Sequence, residues 1–260
     1  MVKIYYCSDL HLELEDDTYE LFIDDVYSDS YLVLAGDICQ YRKMDRLKLF
    51  LNKLSKKFKR IIYVPGNHEY YFSELSDDLG RECVKNIKNV YLLQNESVVF
   101  DDDEIMFYGT TLWSRISYDN MFQYLAMETS INDYQSIKLN DRLIKSNDTT
   151  TLFEKYYSDL KLFLDDNSNS KYKKIVVTHH LPLMELIHEK YKKFKYNNAF
   201  ATDLRDEIKE LDFDYWICGH THETMNYEMQ LRNKKAYFVC NPKGYKNENS
   251  RFTKDSFILV

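Results

Sequence analysis

Glycine and proline are scarce in this 260-residue chain, at 6 and 3. That scarcity excludes collagen-like, linker-rich and low-complexity classes and makes each remaining glycine informative. The chain contains no run of eighteen or more apolar residues and no basic-then-apolar opening. It therefore reads as neither a membrane span nor a signal-bearing secreted protein, and a soluble cytoplasmic protein without a membrane partner is expected. Positive charge is also short, with 35 Lys and Arg against 42 Asp and Glu and a net charge of −7, which argues against a protein that coats nucleic acid electrostatically. Five cysteines without regular spacing fit free thiols in a reducing compartment better than a disulfide framework. With 44% hydrophobic residues the length suffices for one substantial core. A single catalytic domain over residues 1–260 is the expectation.

The apolar pattern is that of an α/β protein. Val2 to Cys7, Tyr31 to Ala35 and Arg60 to Val64 read as buried strands. Between the last two, Leu47, Phe50, Leu51, Leu54 and Phe58 recur at helical steps, so strand, helix and strand should pair in parallel. Val90 to Leu93, Ser97 to Phe100 and Ile105 to Gly109 follow without helices between them and predict an antiparallel part. Residues 114–170 are polar, rich in Tyr, Asp and Asn, with helical stretches such as Leu152 to Leu164, and read as a helical and loop insert over the sheet edge. Strand character returns at Lys174 to Thr178, Tyr215 to Cys218, Ala236 to Cys240 and Ser256 to Val260.

Five polar clusters stand directly after strand-like runs: Asp9-Leu10-His11, Gly36-Asp37, Gly66-Asn67-His68-Glu69, His179-His180 and Gly219-His220-Thr221-His222. In an open sheet the strand C-termini converge on one crevice, so these clusters should form one site. In Asp9-x-His11 and His220-x-His222 the two-residue spacing puts both side chains on the same side of an extended segment, within reach of one metal. Carboxylate, imidazole and amide donors without a thiolate pair suit Mn, Fe or Zn better than a sulfur-rich structural zinc site. Seven candidate ligands exceed what one ion accepts, so two divalent ions are expected, bridged by one carboxylate. A lone histidine is more often structural than functional, but six of the chain's seven histidines lie in these clusters. His188 is left for a solvated helix.

Taken in order, Asp-x-His, Gly-Asp, Gly-Asn-His-Glu, a strand-terminal His and Gly-His-x-His resemble the motifs of the calcineurin-like metallophosphoesterases. Ser8-Asp9-Leu10-His11-Leu12-Glu13, Pro65 to Tyr71 and Cys240-Asn241-Pro242-Lys243-Gly244-Tyr245 are similar to a small single-domain branch found in microbes and viruses. The resemblance implies a four-layer α/β/β/α sandwich of two mixed β-sheets flanked by helices. It implies that Asp9, His11, Asp37 and His222 ligate one metal, and that Asp37, Asn67, His179 and His220 ligate the other. His68 takes the place of the catalytic histidine beside the leaving group, and a metal-activated water attacks phosphorus in line. The implied activity is phosphate ester hydrolysis with two divalent metals, Mn favoured over Fe or Zn. Protein Ser/Thr phosphatases continue Gly-Asp as a Val-Asp-Arg-Gly-like run and follow Asn-His-Glu with Arg; here Ile38-Cys39-Gln40-Tyr41 and Tyr70-Tyr71 stand instead, which disfavours phosphoprotein. A phosphodiesterase acting on a nucleotide or nucleic acid is the alternative, and a non-catalytic scaffold of the same fold the more distant one.

Several residues keep two readings. His179 and His180 both end a strand and alternate in direction; His179 is taken as ligand and His180 as a substrate contact. Cys7 and Cys218 read as small buried residues beneath the site rather than soft ligands. The charge runs Lys53 to Arg60 and Lys171 to Lys174 read as solvated faces. Lys190 to Tyr196 interleaves Lys with aromatics, a pattern that binds phosphate or stacks a base, or else forms an exposed lid at about 183–205. Asn241 and Tyr245 lie in a glycine-containing turn, read either as a site rim with Asn241 near substrate or as a plain turn.

Overall fold

The computed structural model describes residues 1–16, 21, 27–118, 120–166 and 171–260. Thirteen strands among them are β1 (Lys3–Cys7), β2 (Tyr27–Ala35), β3 (Phe58–Val64), β4 (Val90–Leu92), β5 (Glu96–Phe100), β6 (Ile105–Thr110), β7 (Lys138–Leu139), β8 (Arg142–Leu143), β9 (Lys173–Thr178), β10 (Tyr215–Cys218), β11 (Met225–Gln230), β12 (Lys235–Cys240) and β13 (Phe257–Leu259). The helices are α1 (Met44–Ser55), α2 (Asp78–Val84), α3 (Met121–Ser130), α4 (Asp133–Ser136), α5 (Ser146–Asp165) and α6 (Arg205–Ile208).

One five-stranded sheet runs β13-β1-β2-β3-β4, parallel except for β13; a six-stranded sheet runs β11-β12-β10-β9-β6-β5, parallel in its centre and antiparallel at both ends. The period-2 alternation of the strands explains the layers. Ile4, Tyr6, Val33, Ile62 and Val64 of the first sheet share one core with Phe107, Ile175, Val177 and Ile217 of the second. Their neighbours Cys7, Leu34, Ile61, Tyr63 and Trp216 join a second core that holds the helices. Leu47, Phe50, Leu51 and Leu54 of α1 are buried there at the predicted helical steps, each contributing roughly 1.5–3 kcal/mol by leaving water. Two mixed sheets flanked by helices are the fold expected from the motifs.

The structure corrects the reading in particular places. Phe58 starts β3 instead of ending the helix. The Val90 strand is parallel to β3 in the first sheet, and only β5 with β6 forms the antiparallel pair expected there. In 114–170, α5 lies on a sheet face rather than an edge: Phe163 packs 5.2 Å from Tyr108 of β6, and Phe153, Leu160 and Leu164 are buried. Of the charge runs, Arg60 reaches Asp102 at 2.8 Å and Asp103 at 3.0 Å, and Lys174 is buried, donating to the Leu164 carbonyl at 2.8 Å. His188 caps a single 3-10 turn rather than sitting within a helix. All five cysteines are free and buried, Cys7 and Cys218 among them. No helix among the described residues is long and apolar enough to cross a membrane.

Candidate metal centre

Each cluster begins where a parallel strand stops, and the backbone there turns sharply. Asp9, His11, Asp37, His220 and His222 all have positive φ, between 46° and 65°. Asp and His tolerate this region better than bulky residues, yet each such position costs on the order of 1–3 kcal/mol and persists only where its surroundings enforce it. The two-residue spacings therefore do not work through an extended segment. Asp9 and His11 do reach a common point, but His220 and His222 are sent to different donor groups. Two glycines permit the crowding. A β-carbon at Gly36, itself at φ 86°, would lie 2.2 Å from Nδ1 of His179, and one at Gly66 would lie 2.2 Å from Oδ1 of Asp37.

Two groups of donor atoms share Asp37: Asp9, His11, Asp37 and His222, and Asp37, His179 and His220; a third, His11, Glu13 and His68, adjoins the first through His11. In the second group, Nε2 of His179 stands 3.0 Å from Oδ1 of Asn67, 3.3 Å from Oδ1 of Asp37 and 3.1 Å from Nδ1 of His220. In the first, Nε2 of His222 stands 3.2 Å from Oδ1 of Asp9 and 3.2 Å from Nε2 of His11. The far nitrogens fix the proton positions. Nδ1 of His179 lies 3.0 Å from the Ala35 carbonyl, and Nδ1 of His222 lies 2.7 Å from Oε2 of Glu248. Each Nδ1 therefore carries a hydrogen, and in the neutral ring each Nε2 turns a lone pair to its group. Lone pairs of carboxylate, amide and imidazole converging at about 3 Å are the donor set a divalent cation requires, so the residues fit metal.

Electrostatics follow from the burial. Asp37 is fully buried, which by itself would raise its pKa, but His179 and His68 hold its carboxyl well below the usual range. Burial would lower His179 and His222, yet Asp37 lifts His179 to about 9, and Asp9 with Glu248 lifts His222 to about 10. For His220, burial followed by repulsion from His180 and His179 outweighs the pull of Asp37 and holds it well below 6.5.

A ring of further acids supports these groups. Glu69 accepts from the backbone N–H groups of Asp37, Ile38 and Gly66 at 2.8–2.9 Å and from the Tyr63 hydroxyl at 2.9 Å, tying the β2 and β3 ends together. Burial and then Asp37 push its pKa to about 7. Asp133 of α4 accepts at Oδ1 from Asn67 Nδ2 and the Tyr71 hydroxyl, both at 2.7 Å, and so turns Oδ1 of Asn67 toward His179. Oε1 of Glu13 lies 3.5 Å from Nδ1 of His11 and 3.7 Å from Nδ1 of His68. None of these four acids except Glu69 lay in a motif singled out as carrying chemistry. Asp133 and Glu248 gave no sequence signal, whereas Glu13, two residues past His11 and so beside it, was the one open to reading.

All seven expected ligands meet here, and His68 lines the adjoining cavity with Nε2 3.9 Å from Oδ2 of Asp37. Two expected substrate contacts do not. His180 is buried against Trp113 and His220, with Nδ1 3.2 Å from the Thr111 carbonyl, and burial followed by His179 pushes its pKa to about 3. Asn241 is buried and donates to the carbonyls of Tyr6 and Thr253 at 2.9 and 2.8 Å, clamping the C-terminal segment onto β1. It is a structural residue of its turn. Tyr245 in the same turn does reach the site, with its ring 4.7 Å from His11 and 4.8 Å from His222.

Known proteins agree with this geometry. A protein of Acanthamoeba polyphaga mimivirus described as uncharacterized protein L509 is 31% identical over 98% of this chain and 95% of its own length. The crystal structure of phosphopantetheinyl hydrolase from Mycobacterium tuberculosis superposes with a TM-score of 0.68 at 15% identity, over 95% of this chain and 90% of that one, which is a likeness of fold. The family model described as calcineurin-like phosphoesterase matches residues 2–224, the span that holds every donor of the cluster. With the strand-end motifs, the two-sheet fold and the converging donors in one place, the chain belongs to the calcineurin-like phosphoesterase family.

Proposed function

We propose that this protein hydrolyses a phosphate ester with two divalent ions, Mn favoured over Fe or Zn. Asp9, His11, Asp37 and His222 hold one ion, and Asp37, Asn67, His179 and His220 the other. The observation that carries this reading is the sharing of Asp37 between two otherwise separate donor groups. When bound, the ions supply positive charge for the phosphoryl oxygens and make a nearby water acidic. The chain's own residues do the remaining work. Asp133 fixes the Asn67 amide, and Glu69 fixes the loop that carries Asp37. His68 is packed flat on Tyr71 with ring centroids 4.0 Å apart and faces the cavity. Burial would lower its pKa, but Asp37 and Glu13 raise it above the usual value. That direction favours the protonated ring, which gives a proton from Nε2 to the leaving-group oxygen, with Glu13 facing Nδ1.

The test is metal content together with hydrolysis of a chromogenic monoester and diester before and after stripping. Two ions per chain and activity that returns on adding Mn are expected. Asp37→Ala should lose both ions together. Retention of one ion at normal affinity in that variant, or full activity in strong chelator, would overturn the dinuclear reading.

A further inference from the structure

Beside the donor cluster opens a cavity of about 360 Å³, within the size range of small-ligand sites, on the order of 300–1,000 Å³. Its floor is His68, His220 and His222, and its walls carry the rings of Tyr71, Tyr191, Phe194, Phe200 and Tyr245. These rings pack on the site itself: Phe200 stacks on His220 with centroids 4.8 Å apart, and Phe194 stands edge-on to Phe200 at 5.7 Å. Phe194 and Tyr245 remain 44% and 43% exposed, which large aromatic rings at a cavity mouth do at a cost unless something flat covers them.

The charge of the wall is as informative as its rings. Neither Lys nor Arg is among the described residues that line the cavity. Of the cations of the neighbouring segment, Lys190 pairs with Glu223 and Lys192 with Glu189, Lys195 lies 5.2 Å over the Tyr196 ring, and Lys193 is not among the lining residues. Away from the floor histidines, a second phosphate or a sulfate would find no lysine or arginine in the wall and would face the Asp133 carboxylate. The wall also carries the exposed Asn132 amide, a neutral donor and acceptor of the kind that pairs with base edges.

Resting on the phosphoesterase reading above, we propose that this cavity takes a nucleobase, so that the substrate is a nucleotide ester with a single phosphate rather than a polyphosphate, sugar phosphate or phosphoprotein. The base covers the free faces of Phe194 and Tyr245, and the phosphate reaches the donor cluster.

The experiment compares two diesters of one leaving group on the Mn-loaded full chain: thymidine 5′-(p-nitrophenyl) phosphate and its abasic deoxyribose analogue. The nucleoside ester should have at least about tenfold higher kcat/KM, the size of one base stacked on an aromatic ring. In Phe194→Ala that ratio should fall toward one. Equal kcat/KM for the two esters, or a ratio unchanged in Phe194→Ala, overturns the base site while leaving the phosphoesterase reading standing. If neither diester is hydrolysed and a chromogenic monoester is not either, the phosphoesterase reading is what fails. Calorimetry then decides the base site, and thymidine 5′-monophosphate binding no tighter than inorganic phosphate overturns it.

Discussion

His179 and His222 carry protons in the metal-free protein at neutral pH, because their pKa values of about 9 and 10 lie above the ordinary 6.5. A metal needs the lone pair of each Nε2, so loading at pH 7 must expel about two protons. Apparent metal affinity should therefore rise steeply between pH 6 and 8, by roughly tenfold per pH unit for each proton expelled. Calorimetric titrations in buffers of different ionisation enthalpy count those protons, and a count of zero would show that both rings are already neutral at pH 7 before metal binds. His68 makes the complementary case, since it faces the cavity from beside a ligand without joining either donor group that shares Asp37. His68→Ala should retain its metals and lose about 10²–10⁴-fold in kcat on an alkyl ester, and less on an aryl ester whose phenol leaves unaided. Equal losses on both esters would assign His68 to phosphate positioning alone.

Short elements decide how rigid the centre is. The four-residue helix α4 contributes no ligand, yet its Asp133 holds both Asn67 and Tyr71, and Tyr71 in turn backs His68. Asp133→Ala should free the Asn67 amide to rotate and weaken metal binding about 10–100-fold, the usual effect of removing an outer hydrogen-bond partner. Asp133→Asn keeps an acceptor oxygen and should recover most of that loss. Competition with a chromogenic chelator measures both, and wild-type affinity in Asp133→Ala would show that packing alone fixes Asn67. β11, Met-Asn-Tyr-Glu-Met-Gln, has no apolar run but alternates apolar and polar residues, and it pairs antiparallel along β12 from Met225↔Cys240 to Gln230↔Lys235 as a strand with one covered face does.

Across the whole molecule, the donor groups draw on both sheets: Asp9, Asp37 and Asn67 follow strands of the first, and His179, His220 and His222 follow strands of the second. Metal binding should therefore brace the two sheets against each other. Free metal at a hundredfold excess over its dissociation constant adds about 2.7 kcal/mol to the stability of a folded state that alone binds it. For a chain of this size that raises Tm by roughly 5–10 °C. Scanning calorimetry with and without chelator checks the shift, and identical Tm values would show that the centre is not coupled to the sheets.

The strands that end in polar clusters, the helix at Leu47 to Leu54 and the gathering of the seven candidate donors were legible in the sequence, because each depends on local periodicity or on a motif at a strand end. The sequence did not show that Val90 to Leu92 joins the first sheet, because strand partnership is a long-range choice settled by how two cores are filled. Local spacing alone placed His220 and His222 on one metal and only the family resemblance parted them, because the left-handed turns at both residues decide which way each imidazole points. Asn241 shows the same limit from the other side. An amide in a loop near a site reads as a substrate contact until the tertiary structure supplies the carbonyls of Tyr6 and Thr253, whose burial demands its hydrogens. Residue types at strand ends showed which donors this chain carries, whereas the packing of two sheets face to face decided which atoms join the donor groups and which face the protein.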